Sequence, residues 1–201
     1  MKGAILLVMM GMCSCTKWNY HDGGLSNGVH DCSMWEYLHT QSRDWDSTII
    51  MIEHAGLRDL FEGNGEHEQI TFLGLTNYSI RTYLWDNGHK RVTDLSSEQC
   101  KQILSKLIIP KRIMLDDVPR GSRRADTGVK SGGIIYPLLN GGEVFMWTYR
   151  DAYMNVADMG AVSLFCMVHG AVESAQIVST DIQTNNGVVQ ALGYNFRISN
   201  L

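Results

Sequence analysis

The sequence contains little proline, little cysteine and few charged residues. Of its 201 residues, 3 are Pro and 5 are Cys, and charged side chains make up 19%. Such a chain is neither proline-rich nor highly charged, which excludes the common kinds of disordered protein. The net charge of −4 provides no basic surplus for phosphate backbones, so we expect no nucleic-acid partner. The 44% of hydrophobic residues suffice for one folded domain with a substantial core.

The sequence also lacks an apolar run long enough to cross a membrane. Its one long apolar run, at residues 3–12, follows Lys2 and falls far short of the roughly 20 residues that a membrane-spanning helix needs. A positive start, a short apolar centre and small residues before a break are typical of a secretory signal. We therefore expect an exported protein.

The end of this run resembles the bacterial lipobox. Ser14 places a small residue directly before Cys15, which predicts removal of residues 1–14 and lipidation of Cys15. A flexible tether at residues 15–32 and a folded domain at residues 33–201 would follow. No Asp comes directly after Cys15, so the resemblance implies a lipid anchor in the bacterial outer membrane, on the cell surface or the periplasmic face. An ordinary cleaved signal with incidental cysteines is the alternative.

Three cysteines follow Cys15 in the sequence: Cys32, Cys100 and Cys166. An odd number allows at most one disulfide within the chain, and the sequence does not choose the pair. Buried free thiols are the alternative. The spacing of the cysteines does not match a zinc site, so we predict no metal ion.

Sequence motifs of the common enzyme classes are missing. The sequence has no G-x-S-x-G elbow, no H-E-x-x-H helix and no P-loop. Glu66, His67 and Glu68 are consecutive, and adjacent side chains in a turn diverge, so we interpret them as a solvated loop. The sequence therefore predicts a protein that is not an enzyme and needs no cofactor.

Helix signals dominate the first half of the domain. Helices are predicted in the segments 33–41, 46–63, 76–88 and from 96 onward. Asp46 or Ser47 is expected to cap the second helix, Gly56 to divide it and Gly63 to end it.

The second half consists of short β-rich runs separated by Gly or Asn. Asn186-Gly187 is the strongest local signal for a β-hairpin, and residues 120–133 are expected to form an exposed loop. Because the helices come early and the strands late, the sequence predicts an α+β domain.

Two segments resemble the signature boxes of the fasciclin domain family. TFLGLTNYSI at residues 71–80 is similar to the first box, T-V-F-A-P-T-N-x-A-F, and NNGVVQAL at residues 185–192 is similar to the second, N-G-x-V-H-x-I-D. The resemblance covers about residues 33–199. It implies a fasciclin-like fold, a β-sandwich or wedge with several helices packed against it, used for cell adhesion or extracellular ligand binding. The positions that it marks as structural are Thr71, Phe72, Thr76, Asn77, Asn186, Gly187, Val188 and Val189.

The sequence departs from the family pattern at several positions. Gly74-Leu75 replaces the usual Ala-Pro, and Gln190 replaces the usual His of the second box. The Tyr-His pair linked to integrin binding in animal members is missing, and its place falls near Lys111-Arg112. An integrin-type contact is therefore not expected.

Two classes of partner remain for such a binding module. The first is an extracellular or envelope protein, met in adhesion. The second is a glycan, bound by an accessory lipoprotein of an outer-membrane polysaccharide capture and uptake system, because aromatic rings stack on sugars and arginines grip carboxylates or sulfates. The candidate residues for glycan binding are Trp85, Trp147, Tyr149, Tyr153, Arg123 and Arg124. Core packing is the alternative for each aromatic ring and a solvated loop for the arginines.

Overall fold

The computed structural model describes residues 28–123 and 130–201, without the side chains of Arg123 and Asn200. The predicted signal, the lipidation site Cys15 and most of the predicted tether lie outside the described residues. Within these two ranges, no helix is both long and apolar enough to cross a membrane.

Helices occupy most of the first half of the described chain. They are α1 (Met34–Thr40), α2 (Ser42–His54), α3 (Arg58–Glu62), α4 (Asn77–Asp86) and α5 (Ser97–Ser105). Ser33 and Ser96 cap α1 and α5 through capping boxes with Glu36 and Gln99, which satisfy backbone N–H groups that the start of a helix leaves unpaired. The box at Ser96 confirms the predicted start of α5.

The nine strands of the described chain lie mostly in its second half, although the first two come earlier. They are β1 (Ile70–Gly74), β2 (Ile108–Ile109), β3 (Gly121–Arg123), β4 (Lys130–Gly132), β5 (Ile134–Pro137), β6 (Glu143–Arg150), β7 (Val162–Val168), β8 (Ala175–Thr184) and β9 (Gly187–Leu192). The segregation of helices and strands confirms the predicted α+β class.

Seven of these strands form one mixed sheet, in the order β2-β1-β9-β8-β7-β6-β5. β1 and β9 are parallel, and the other neighbours in this sheet are antiparallel. Leu139, just beyond β5, donates its N–H to the carbonyl oxygen of Ile108 in β2 at 2.8 Å. The two edges of the sheet therefore meet, and the sheet curls back on itself.

One connected apolar core joins the helices to the sheet. Phe61 of α3 packs edge-on against Phe72 of β1, with ring centroids 5.0 Å apart, and both side chains are fully buried. The inner face of α2 contributes Trp45, Ile49 and Ile52 at helical spacing. Burial of these side chains fixes the helices on the sheet.

The start of α2 differs from the prediction. The helix begins at Ser42, about one turn before Asp46 and Ser47, so the prediction that one of these two caps it is wrong. The reason is Trp45, which is buried and extends the apolar stripe by one turn toward the N-terminus.

The predicted break and end of this helical region are confirmed. Gly56 has φ +68° and separates α2 from α3. Gly63, at φ +86°, is the left-handed C-cap of α3, a conformation that glycine adopts without steric cost.

Residues 28–32 belong to the domain, although the sequence suggests the end of a tether. His30 donates its backbone N–H to Gln183 at 2.9 Å, and Gln183 donates to Gly28 at 2.7 Å. This pairing lays an extended segment beside β8. The folded unit therefore begins by Gly28.

Part of residues 120–133 also has regular structure where the sequence predicts a loop. β3 and β4 pair antiparallel through Gly121 and Gly132, Ser122 and Ser131. The side chains of β4 are exposed, so no hydrophobic pattern in the sequence predicts this two-stranded ribbon.

Candidate functional site

The two segments that resemble the fasciclin boxes lie side by side in the sheet. Thr71 pairs with Val188 and Phe72 with Val189 along the parallel strands β1 and β9. All four side chains are fully buried. These positions therefore build the centre of the sheet and present no side chain to a ligand.

Gly187 lies where those two strands approach most closely. A Cβ at this position would collide with the carbonyl oxygen of Ile70. β8 and β9 are joined by a tight turn at Asn185 and Asn186, with Thr184 opposite Gly187. The predicted hairpin is thus present, and its glycine begins the strand instead of forming the turn.

Asn186 connects this turn to two helices. Its buried amide accepts a hydrogen bond from the N–H of Met34 at 2.7 Å and donates to the carbonyl of Phe61 at 3.0 Å. The first contact holds the start of α1 and the second the end of α3. The side chain therefore has a structural task, which fits its place in the resemblance.

Asn77 links α4 to α2 in a similar way. Its Oδ1 accepts from the backbone N–H of Ser47 at 2.6 Å, and its Nδ2 donates to the carbonyl of Arg43 at 2.8 Å. The N–H of Ser47 and the carbonyl of Arg43 are four residues apart in α2. An α-helix ordinarily joins such a pair by a backbone hydrogen bond. Thr76 takes the N-cap position of α4, where its hydroxyl lies 3.4 Å from that of Ser79 and caps no backbone N–H.

Polar side chains near the second box are engaged within the domain. Gln190, fully buried, donates to the carbonyl of Ile113 at 3.0 Å and to the carboxylate of Asp181 at 2.9 Å. Arg112 donates to the side-chain oxygen of Gln183 at 2.7 Å. These groups stabilise the packing of residues 112–115 on the sheet.

An open groove of about 1240 Å³ runs between α2 and α4. We call it the aromatic groove: its walls are α2 and α4, and residues 88–93 and Tyr194 complete its lining. Three aromatic side chains of the groove are exposed: Trp85 by 81%, Tyr194 by 59% and Tyr78 by 45%. Ile50 adds an exposed apolar side chain from α2. An apolar concave surface with convergent polar groups is a typical ligand site.

Tyr194 is fixed at the α2 side of the groove. Its hydroxyl donates to Asp44 at 2.8 Å. The hydrogen bond to the Asp44 carboxylate raises the pKa of Tyr194 above its ordinary value. The ring is thereby held in one position although it is exposed.

A second surface lies at the turn between β6 and β7. We call residues 149–162 the apolar hairpin. Tyr153 and Val156 exchange backbone hydrogen bonds of 3.0 and 2.9 Å around Met154 and Asn155, which have φ of +49° and +63°. Positive φ at both central residues is the geometry of a type I′ turn, and it is strained for Met.

The apolar hairpin concentrates the exposed apolar side chains. Of the fourteen large hydrophobic residues exposed in the described chain, six lie here. They are Tyr149, Tyr153, Met154, Val156, Met159 and Val162. Arg120 pairs with Asp158, and these two residues and Arg150 line a shallow hollow at the hairpin base. The surface is therefore an apolar tip with a charged rim.

The predicted binding residues are dispersed in the structure. Trp147 is buried, with 5% exposure, and stacks between Phe145 and Phe165 at centroid distances of 4.9 and 5.6 Å. Its ring face is covered, so Trp147 does not belong to a binding surface. Tyr149 is 42% exposed at the base of the apolar hairpin. The side chain of Arg123 and all of Arg124 lie outside the described residues.

Trp85 is the one residue of the aromatic groove among the described residues that the sequence predicts for binding. Tyr78, Arg81 and Trp85 follow each other at helical spacing on an exposed face of α4, next to the buried side of Ile80 and Leu84. An exposed stripe of aromatic and charged side chains on a helix is the sequence pattern that indicates this surface.

The structure offers no metal centre in the described part of the chain. Among residues 28–123 and 130–201, no three His, Cys, Asp or Glu side chains converge on a common point. Cys32, Cys100 and Cys166 are free thiols.

Comparisons with known proteins find a similar solved structure but no similar sequence family. No protein-family model matches the sequence. No curated protein matches it. Among solved structures, the chain is similar to a FAS1 domain pair from the insect cell adhesion molecule fasciclin I, with a TM-score of 0.44 and 14% identity. The match covers 80% of this chain and 44% of that one, so this chain spans less than half of that structure.

Proposed function

We propose that this protein is a fasciclin-like binding module of the bacterial envelope that acts in cell adhesion and has no catalytic activity. The fasciclin-like assignment is supported by the two boxes, which are distant in sequence and neighbours in the sheet. Their buried positions have the structural roles that the resemblance implies.

The adhesion proposal is supported mainly by the exposed side chains of the apolar hairpin. Its exposed tip contains Tyr153, Met154 and Val156, and charged residues surround its base. Protein interfaces combine an apolar centre, enriched in Tyr and Met, with a polar rim. Solvent-exposed apolar clusters of this kind mark interaction sites. We therefore propose an extracellular or envelope protein as the partner.

The adhesion proposal is tested with the full chain on an array of extracellular-matrix and envelope proteins. Met154→Asn combined with Tyr153→Ser removes apolar tip atoms and keeps a residue that tolerates positive φ in the turn. We expect a specific protein partner whose binding falls at least tenfold in the double variant, about 1.4 kcal/mol. Trp85→Ala, on the other surface, should leave that binding unchanged. A partner that binds the double variant equally well would contradict the proposal.

We also propose that Cys15 carries a lipid that anchors the chain in the outer membrane. The lipobox-like sequence at Ser14-Cys15 supports this. Cys15→Ser should move the protein from the membrane fraction to the soluble fraction. Retention of the processed variant in the membrane would exclude the lipid as the anchor.

Glycan capture, as an accessory of outer-membrane polysaccharide uptake, is the second candidate function. The observation that favours it is the exposed ring of Trp85 beside Tyr78 in the aromatic groove. Exposed indole and phenol rings offer apolar faces on which sugar rings stack. Binding of glycans to the full chain, lost in Trp85→Ala, would support this function.

A further inference from the structure

Three side chains of α4 form a continuous ladder on one helix face. Tyr78, Arg81 and Trp85 are separated by one turn each and span about 10 Å along the axis. The guanidinium of Arg81 lies over the ring of Tyr78, 5.1 Å from its centroid. The ladder therefore places a cation between two aromatic side chains, and its length suits a short oligosaccharide.

The ladder is accessible from both sides. Tyr78, Arg81 and Trp85 line the aromatic groove on one side and a smaller hollow of about 490 Å³ on the other. In the smaller hollow, Arg197 is paired with Asp86 at 3.3 Å. The ladder therefore separates two concave surfaces. A flexible oligosaccharide can contact the ladder from either one.

The lining of the aromatic groove is positively charged, although the chain as a whole is not. Four cationic and two anionic side chains line it, whereas the full sequence has a net charge of −4. The cationic residues are Arg43, Arg81, Lys90 and Arg91, and the anionic residues are Asp44 and Asp46.

Several of these cations have no carboxylate partner. Arg91 lies 3.6 Å from Asp94, and Asp44 accepts the hydroxyl proton of Tyr194. Arg43, Arg81 and Lys90 form no ion pair with another described residue. Their donors are therefore available to an anionic ligand.

We infer that the aromatic groove binds an anionic oligosaccharide, with Trp85 stacking on a sugar ring and Arg81, Arg43 and Lys90 binding carboxylates or sulfates. This rests on the second function proposed above and names its ligand class. Stacking alone accepts neutral sugars, whereas guanidinium groups form paired hydrogen bonds with planar carboxylates and sulfates. The charge of the groove therefore selects the acidic members among glycans.

The walls of the groove are held in position before any ligand binds. The amide of Asn77 joins α4 to Ser47 and Arg43 of α2, and Tyr194 is fixed by Asp44. Binding then requires no rearrangement of the two helices, which reduces its entropic cost.

The test uses the full chain and three defined oligosaccharides in titration calorimetry. A galacturonate hexasaccharide supplies carboxylates, a heparin hexasaccharide supplies sulfates, and cellohexaose is the neutral control. We expect at least one acidic probe to bind, more weakly as salt rises, because screening reduces exposed charge interactions. Cellohexaose should bind at least about tenfold more weakly.

Two variants and a control locate the site. Trp85→Ala should weaken binding of the acidic probe about tenfold, and Arg81→Gln should do so while leaving any cellohexaose binding unchanged. Lys101→Gln, an exposed cation of α5 outside the groove, should have no effect. Trp85 also provides an optical signal once Trp18 is replaced by Phe in every sample, because Trp35, Trp45 and Trp147 are buried. The acidic probe should protect Trp85 from acrylamide quenching, and that protection should vanish in Trp85→Phe.

The outcomes separate this inference from the function on which it rests. If only cellohexaose binds and Trp85→Ala abolishes it, glycan capture stands and the anionic selectivity is refuted. If an acidic probe binds and the two groove variants behave like Lys101→Gln, the site assignment is refuted. If no probe binds, both the inference and glycan capture fail, and the adhesion proposal at the apolar hairpin is unaffected.

Discussion

The Oδ1 atom of Asn77 accepts a 2.6 Å hydrogen bond from the backbone N–H of Ser47, so the first residue of α4 is fixed to the second turn of α2. The same amide donates to Arg43. Asn77→Ala should lower the free energy of unfolding by about 1–3 kcal/mol, because it removes both contacts from a site between two helices.

Urea denaturation measures this effect, with Asn87→Ala as the matched control. Asn87 also donates to a backbone carbonyl, that of Tyr83 at 2.8 Å, but it is exposed at the end of α4. The control should cost less than about 0.5 kcal/mol. Equal losses in the two variants would mean that the link between α2 and α4 adds no stability.

Gly187→Ala should be strongly destabilising, by about 3 kcal/mol or more, because the added Cβ collides with the carbonyl oxygen of Ile70 and forces β1 and β9 apart. Gly141→Ala is the control. Gly141 has φ +80° with open space around it, so only backbone strain of about 1 kcal/mol applies. Thermal unfolding of both variants measures the difference, and similar melting temperatures would argue against the close approach.

Trp147→Ala should cost about 3–5 kcal/mol of stability, since it empties a site between two stacked rings in the sheet. Trp85→Ala should change stability by less than about 0.5 kcal/mol, because the side chain is 81% exposed. Chemical denaturation of the pair distinguishes a core ring from a surface ring. A large loss in the Trp85 variant would show that its ring packs in solution.

Met154→Asn should leave stability unchanged or raise it by up to about 1 kcal/mol. Met154 has φ +49° and is 80% exposed, so the substitution removes backbone strain and gives up little packing, and Asn tolerates this conformation. Differential scanning calorimetry measures the change. A clear loss of stability would indicate that the Met side chain is buried against the hairpin in solution.

The thiols should differ in reactivity toward iodoacetamide at about pH 8, where only thiolates react. Burial raises the pKa of the Cys166 thiol to about 12, and it raises the pKa of Cys100 as well. These two should alkylate only after unfolding. Partial burial, with Glu36 and Asp31 nearby, also raises the pKa of Cys32, but its thiol is only half-buried. Of these three thiols it should therefore react first, as peptide mass spectrometry can show. Rapid labelling of Cys166 in the native protein would contradict its burial.

Local signals in the sequence predict much of the fold. Capping boxes, apolar spacing and the glycines Gly56 and Gly63 act within a few residues, so they indicate where helices begin and end. The ribbon of β3 and β4 depends on backbone pairing of exposed residues, and the attachment of residues 28–32 depends on distant Gln183. Such long-range pairing leaves no local pattern.

The candidate surfaces likewise divide into features that local sequence patterns predict and features that depend on long-range contacts. An exposed aromatic on a helix, such as Trp85, can be found because it lies off the apolar stripe that the helix buries. Trp147 could not be assigned in this way, because both faces of β6 are covered: Val144 to Trp147 are all buried. The aromatic groove itself requires α2 beside α4, and that arrangement is set by tertiary contacts such as the one at Asn77.

The parallel pairing of β1 with β9 has a consequence for how the chain folds. Ile70 pairs with Gly187, so more than half of the chain forms the loop that this contact closes. Contacts between such distant residues slow folding, because loop-closure entropy is lost before the pairing compensates it. The central sheet cannot be completed until the last strand has been synthesised. A chain built in this way keeps its central sheet open until its C-terminal strand arrives.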